Sequence, residues 1–107
     1  MNTGKAVTQL QALAHETRLD ILRLLMPLGR KGLPAGAIGE AVALPASRLS
    51  FHLSAMESAG LLWSRRESRN VIYAVHYPSV RKLFGFLMHD CCGRHPEVVA
   101  DQSVAPT

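Results

Sequence analysis

Two adjacent thiols, those of Cys91 and Cys92, are the side chains of this sequence best suited to chemistry. They are the only two cysteines in the chain, so the sequence contains no disulfide framework. A disulfide between chain neighbours closes a strained ring and joins no distant segments. The structural alternative is a pair of small apolar side chains buried at a helix end. We interpret the pair as a functional thiol site, because adjacency of two cysteines by chance is rare in a chain of 107 residues.

Positive charge is concentrated in the middle of the chain. Residues 46–82 contain six Arg and Lys residues and two Glu residues, whereas the rest of the chain carries six charges of each sign. The formal net charge of +4 therefore resides in this one segment. Such a basic surface is typical of proteins that bind a polyanion.

The elements that position these residues are marked by Gly, Pro and helical spacing of apolar residues. The patterns predict helices over residues 3–15, 16–28, 34–42, 46–59 and 78–93. Val7, Leu10 and Leu13 are expected on the apolar stripe of the first helix, and Arg18 on the solvent side of the second. Two β-rich runs, residues 61–67 and 71–76, predict a hairpin with a basic tip.

Residues 35–60 are predicted to form two short helices joined by a tight turn, which is a helix-turn-helix arrangement. Leu49, Leu53 and Met56 form the buried stripe of the second of these helices, whose other faces can reach DNA. The residues predicted to contact DNA are Ser47, Arg48, Ser50, Phe51 and His52 on that helix and Arg65, Arg66 and Arg69 on the hairpin. Each of them alone could be an ordinary solvated residue, but three guanidinium groups within five residues favour a phosphate backbone as partner.

The run SRLSFHLSAMESAGLLWSRRESRNVIYAV, together with LAHETRLDILRLL, resembles the recognition helix, wing and second helix of the ArsR/SmtB family of metal- and metalloid-responsive bacterial repressors. The resemblance covers roughly residues 5–92. It implies a mainly α-helical winged helix-turn-helix with about five helices and a two-stranded wing. It also implies a homodimer held by the first and last helices, with Ser50, His52 and Leu53 at the DNA-facing helix, which binds double-stranded operator DNA.

The run HDCCGRHPE resembles the C-terminal cysteine pair of arsenic-responsive members of that family, so Cys91 and Cys92 are the expected ligands. The third cysteine that some members carry near Val98 is absent from this sequence. Trivalent arsenic takes three ligands, and an organoarsenical such as methylarsenite brings one of them as carbon, so it is expected to be preferred over arsenite. The alternatives are a repressor that responds to thiol oxidation or persulfide and one that responds to zinc through added His, Asp or Glu ligands.

The length of 107 residues and the mass of 11.7 kDa allow one domain, predicted over residues 1–98 with a disordered tail over residues 99–107. No apolar run is long enough for a membrane span or a signal peptide, so we expect a cytoplasmic protein without a membrane partner. No Gly-rich phosphate loop or obvious acid pair is present, so we do not expect an enzyme or a constitutive cofactor.

Overall fold

The computed structural model describes residues 1–91 and 93–99, with the backbone alone for Cys91 and Val99. Its helices are α1 (Thr3–Leu13), α2 (Glu16–Leu25), α3 (Ala35–Val42), α4 (Ala46–Ser58), α5 (Tyr77–Gly85) and a single turn, α6 (Pro96–Val99). Its strands are β1 (Leu33–Pro34), β2 (Leu62–Glu67) and β3 (Asn70–Val75). The predicted fold class, a mainly α-helical winged helix-turn-helix, is confirmed.

The second helix ends earlier than the apolar pattern predicts. After Leu25 the chain continues as 3-10 turns over Met26–Lys31. Pro27 in this segment has no N–H to donate, so the α-helical hydrogen-bond ladder is not continued. The hydroxyl of Tyr77 donates to the carbonyl of Met26 and accepts from the N–H of Gly29, which fixes the segment to the start of α5.

The predicted hairpin is present as β2 and β3, which pair antiparallel from Leu62 opposite Val75 to Glu67 opposite Asn70. A third strand extends the sheet to the order β1-β3-β2, with Leu33 opposite Tyr73. The strand β1 was not predicted, because two residues show no alternation of polar and apolar side chains.

The core confirms the predicted buried stripe of α4. Leu49, Leu53 and Met56 are all buried, and they pack with Ile21 and Leu25 of α2. Further buried members of the same cluster come from every layer of the fold: Ala12, Leu22, Ile38, Leu61, Leu62, Val75 and Val80. This single core fixes α4 and the sheet relative to one another.

The first helix buries a different face from the one predicted. Its buried residues are Ala6, Gln9 and Ala12, whereas Val7 is 45% and Leu10 40% exposed. Gln9 occupies the interior because its amide donates a hydrogen bond of 3.0 Å to the carbonyl of Ala59 at the end of α4. The small residues bring α1 close to the core. Of the predicted stripe, Leu13 is partly buried against the core, and Val7 and Leu10 are left on the surface.

The last helix continues beyond α5 as one π-helical segment, Phe86–Cys91. Val80 and Leu83 of α5 are buried, but Phe84 is 49% exposed. The predicted disordered tail lies, except for residue 99, outside the described residues. No helix in the described part of the chain has the length and apolar composition needed to cross a bilayer.

Candidate DNA-binding surface

The helix-turn-helix is formed by α3 and α4, which pack closely at Gly39. A Cβ added at Gly39 would lie 3.2 Å from both the carbonyl oxygen of Leu44 and a methyl carbon of Leu49. Ala43 ends α3 with φ 56° and ψ 48°, and its N–H donates to the carbonyls of Gly39 and Glu40. This left-handed residue turns the chain sharply enough for α4 to start three residues later.

The face of α4 opposite the core carries four of the residues predicted to bind DNA. These residues, the α4 surface, are all exposed: Ser47, Arg48, Ser50 and Phe51. Phe51 is 68% exposed, which is unusual for a large aromatic side chain on a small domain. Hydroxyl, guanidinium and aromatic groups on one helix face can donate to bases or phosphates and contact thymine methyl groups.

His52 differs from the α4 surface because it is half-buried and held by α2. Its Nδ1 accepts a hydrogen bond of 3.0 Å from Nε of Arg18. Its ring makes edge contacts with the rings of His15 and Phe51, at centroid distances of 5.8 and 5.9 Å. Burial lowers the pKa of His52 below its ordinary value, and Arg18, His15 and Arg48 lower it further through charge repulsion. His52 is therefore neutral near pH 7.

Arg18 is the residue of this surface that the sequence analysis placed wrongly. It was expected in solvent but is only 6% exposed, and its NH1 also donates to the carbonyl of Ala12 at 3.2 Å. A sequence signal existed: Arg18 lies three, four and seven residues before the buried Ile21, Leu22 and Leu25, which puts it on the core stripe of α2.

The tip of the hairpin, which we call the wing tip, consists of exposed residues 66–69, including Arg66 and Arg69. Ser68 has φ 55°, so the two-residue turn between Glu67 and Asn70 uses a left-handed residue. Among the ion pairs of the described residues, neither Arg66 nor Arg69 has a carboxylate partner. Their guanidinium groups are available to phosphate.

Arg65 is engaged within the protein. Its guanidinium donates to the carbonyls of Arg30 and Lys31 at 2.6 and 3.1 Å and to Glu67 at 2.7 Å. It also lies 5.5 Å from the ring centroid of Trp63. This side chain fixes the base of the hairpin to the segment before β1, a role that the sequence analysis did not foresee.

An open groove of about 540 Å³ lies between α3, the first half of α4 and β3. Ser50 is the residue of the α4 surface that lines it, and Val71 and Tyr73 line it from β3. Val71 pairs directly with Arg66, and residues paired across two antiparallel strands project from the same face. Arg66 and Ser50 are therefore on the same side of the molecule. The α4 surface and the wing tip together are the candidate interface, and Ser50 is the α4 residue that lines the groove beside the hairpin.

The two thiols are described only in part. Cys91 is the last residue of the π-helical segment, Cys92 lies outside the described residues, and His89 and Asp90 before them are exposed. Among the described side chains, no three His, Cys, Asp or Glu residues lie together as a metal site. The predicted ligand role of Cys91 and Cys92 stays a prediction.

The fold and this surface define the class of a winged helix-turn-helix regulator, and comparison with known proteins agrees. Residues 13–65 match a family model described as a helix-turn-helix domain. The chain is 33% identical over 91 residues to the transcriptional activator HlyU of Vibrio cholerae, covering 85% of this chain and 82% of HlyU. It is 32% identical over 88 residues to the HTH-type transcriptional regulator YgaV of Escherichia coli, covering 82% of this chain and 87% of YgaV.

Solved structures give the same result. HlyU of Vibrio cholerae superposes with a TM-score of 0.69 at 33% identity, and the match covers 85% of this chain and 96% of HlyU. A form described as reduced HlyU superposes with a TM-score of 0.67, and that match covers 85% of this chain and 93% of the reduced form. A homodimeric winged helix-turn-helix DNA-binding domain from Mycobacterium bovis gives a TM-score of 0.66 at 28% identity, with 95% of this chain and 83% of that chain covered. The chain belongs to the family of winged helix-turn-helix transcriptional regulators that includes HlyU and YgaV.

Proposed function

We propose that this regulator is a homodimeric repressor of the ArsR/SmtB type that binds operator DNA and leaves it when a trivalent arsenical binds Cys91 and Cys92. The observation that carries the DNA-binding part is that Ser50 of α4 and Arg66 of the wing lie on one side of the molecule, at a groove lined by Ser50 and by Val71, the strand partner of Arg66. A recognition helix with a basic wing beside it can occupy a major groove and the adjoining phosphates.

The α4 surface and the wing tip have different tasks in this proposal. Ser47, Ser50, Phe51 and His52 read base edges, and Arg48 binds a phosphate or guanine. Arg66 and Arg69 bind phosphates and add affinity without sequence preference. Arg65 was also predicted to contact DNA, but its internal hydrogen bonds favour a supporting role at the base of the wing.

The homodimer is supported by apolar side chains that the single chain leaves uncovered on α1 and α5. They are Val7 and Leu10 on α1 and Phe84 on α5, all at least 40% exposed. A second copy would cover these side chains and set two α4 helices about 34 Å apart, the spacing of half-sites one DNA turn apart. The homodimeric relative from Mycobacterium bovis supports the same arrangement.

The arsenical part of the proposal rests on the chemistry of the thiol pair. Methylarsenite, with two hydroxyl groups on arsenic, would exchange both for sulfur and release two water molecules. Arsenite would keep one hydroxyl and is expected to bind less tightly. Cys91 is the last residue of a π-helical segment, and wide turns of this kind are frequent at functional sites in helices. A structural change at this segment would alter the proposed dimer interface, because the segment continues from α5. To lower DNA affinity 100-fold, the ligand must bind the released form of the dimer about 2.7 kcal/mol more tightly than the DNA-binding form.

Release from DNA tests the arsenical part directly. Methylarsenite and arsenite are titrated into the complex of the protein with a fluorescent operator duplex, for wild type and for Cys91→Ser and Cys92→Ser. We expect release of the wild type, at lower methylarsenite than arsenite, and retention of both variants on DNA. If both variants were still released from DNA by the arsenicals, the two thiols would not be the sensor. If arsenite released the wild type at the same concentration as methylarsenite, the preference expected from two sulfur ligands would be wrong.

A second candidate is a regulator that responds to thiol oxidation, because the solved relatives include HlyU in a form described as reduced. Here two thiols would lose two electrons and two protons to a peroxide, which is reduced to water. Since adjacent cysteines close an unfavourable ring, the bond would join two chains. Release by peroxide that is reversed by dithiothreitol, without release by arsenicals, would favour this candidate.

A further inference from the structure

Arg18 carries its positive charge in the protein interior, where removing a charge from water is energetically unfavourable. It is 6% exposed, and no carboxylate forms an ion pair with it among the described residues. Its guanidinium donates instead to a backbone carbonyl, that of Ala12, and to Nδ1 of His52. For folding alone an apolar side chain of similar volume would serve as well or better. The guanidinium carbon of Arg18 also lies 5.8 Å from the ring centroid of Phe51. The position therefore points to a task that Arg18 performs on neighbouring side chains, of which His52 is the hydrogen-bonded one.

The hydrogen bond between Arg18 and His52 determines where the imidazole proton is. A guanidinium group has donors and no acceptor, so Nδ1 of His52 must be the acceptor and carries no proton. A neutral imidazole with an unprotonated Nδ1 has its proton on Nε2. The edge contacts of the His52 ring with the rings of His15 and Phe51 restrict its rotation, which keeps Nδ1 directed toward Arg18.

The second ring nitrogen of His52 is free for an external partner. Within the described part of the chain, Nε2 makes no hydrogen bond, whereas Nδ1 is occupied by Arg18. The ring also lines an open depression of about 440 Å³ together with Ser47, Arg48 and Phe51 of the α4 surface. The N–H of His52 is thus a donor at the edge of the candidate DNA interface.

We propose that Arg18 is a positioning residue that holds His52 in the Nε2–H tautomer and so makes it an obligatory hydrogen-bond donor to DNA. The proposal rests on the proposed DNA-binding function of α4. A donor of this kind can pair with N7 or O6 of a purine or with a phosphate oxygen, and it rejects the amino groups of adenine and cytosine. Without Arg18, the ring could present either an acceptor or a donor, and sequence discrimination would fall.

The tautomer is measured first, and on the wild-type protein alone. Long-range ¹H–¹⁵N spectra of the histidine rings at pH 7.5 distinguish Nε2–H, Nδ1–H and the cation, and His52→Gln assigns the signal. We expect Nε2–H for His52 in wild type and in Arg18→Lys, which keeps a donor, and a mixture of tautomers in Arg18→Leu. A wild-type His52 that is Nδ1–H or cationic would overturn the proposal.

DNA binding is measured second, with a duplex selected by the wild type from a random pool and a scrambled duplex of the same length. Arg18→Leu is expected to reduce the ratio of the two affinities about tenfold, and Arg18→Lys to restore most of it. A 7-deazapurine duplex tests for a purine N7 contact, and methylphosphonate linkages test for a phosphate contact. If wild type bound no DNA, the proposed function would fail while the tautomer result stood. If it bound DNA but Arg18→Leu kept full discrimination, the positioning role would be wrong.

Discussion

The guanidinium of Arg65 donates a hydrogen bond of 2.6 Å to the backbone carbonyl of Arg30, which ties the base of the wing to the segment preceding β1. Arg66, one residue further along β2, projects from the other face of the sheet, the face of its strand partner Val71, which lines the groove beside Ser50. The two neighbouring arginines therefore have different surroundings: Arg65 is hydrogen-bonded within the protein, and Arg66 is exposed. Variants at these two positions separate DNA binding from stability.

Arg66→Ala is expected to weaken binding to every DNA sequence by a similar factor. Each phosphate contact that is lost lowers the steepness of the plot of log affinity against log salt by about 0.9 per chain. The measurement is fluorescence anisotropy of a labelled duplex at several salt concentrations. Arg69→Ala should behave alike, and Ser50→Ala, which removes no charge, should keep the slope. An unchanged slope in both arginine variants would exclude the wing tip as a phosphate contact.

Arg65→Ala is expected to lower the free energy of unfolding by about 1 kcal/mol, because the loss of the guanidinium leaves the carbonyls of Arg30 and Lys31 without this partner. Urea denaturation followed by circular dichroism measures the change. Arg66→Ala is the matched control and should stay within about 0.5 kcal/mol of wild type. Equal stabilities of the two variants would contradict the supporting role of Arg65.

Alanine substitutions at Gly32 and Gly29 form a matched pair that tests the packing of β1 against the sheet. Their backbones are nearly the same, with φ and ψ of 56° and −157° at Gly32 and 64° and −150° at Gly29. A Cβ at Gly32 would lie 2.1 Å from the carbonyl oxygen of Tyr73, whereas a Cβ at Gly29 meets nothing within 4 Å.

Alanine at either glycine should cost about 1 to 3 kcal/mol from backbone strain. Gly32→Ala should cost at least about 2 kcal/mol more, because β1 must move away from β3. Thermal denaturation of both variants tests the difference. A Gly32→Ala variant that is as stable as Gly29→Ala would show that the close contact is not required.

The lowered pKa of His52 makes stability depend on pH in a defined direction. The unfolded chain, with a histidine pKa of about 6.5, binds more protons at this position than the folded one when the pH is below that value. The contribution is present above pH 6.5 and is lost as the pH falls toward the folded-state pKa. Wild type should therefore lose more free energy of unfolding between pH 7.5 and about 5.5 than His52→Gln does.

The pKa of His52 is lowered by burial and by the charges of Arg18, His15 and Arg48. All three residues remain in the variant, as do the other histidines. The difference between wild type and His52→Gln in the pH-dependent loss of unfolding free energy therefore measures the contribution of the His52 ring. Parallel losses of stability in wild type and His52→Gln would mean that the His52 pKa is not lowered by folding.

Regular patterns in the sequence predicted most of the fold. The core stripe Leu49, Leu53 and Met56 follows helical spacing, and the hairpin follows from two β-rich runs around a short polar turn. The strand β1 has too few residues to show a pattern, and the buried face of α1 is formed by small residues and Gln9 because of its contact with Ala59. Such long-range contacts leave no local periodicity.

The exposure of candidate residues was predictable where a side chain has no distant hydrogen-bonding partner, as at Arg66 and Phe51. It was not predictable where a side chain acts through a distant partner. The bond from Arg18 to His52 spans 34 positions and that from Arg65 to Arg30 spans 35. Charge alone indicates solvent or a ligand for both arginines, and only the tertiary structure shows the acceptors that hold them.

Selection of DNA from a random duplex pool by the purified protein tests the central claim most directly. We expect enrichment of a palindromic sequence with half-sites about one helical turn apart, bound at least about 1,000-fold more tightly than a scrambled duplex at physiological salt. Ser50→Ala and His52→Gln should change the enriched sequence, whereas Arg66→Ala should weaken binding without changing it. A pool without an enriched sequence, with selected and scrambled duplexes bound equally, would show that the protein is not a sequence-specific DNA-binding regulator.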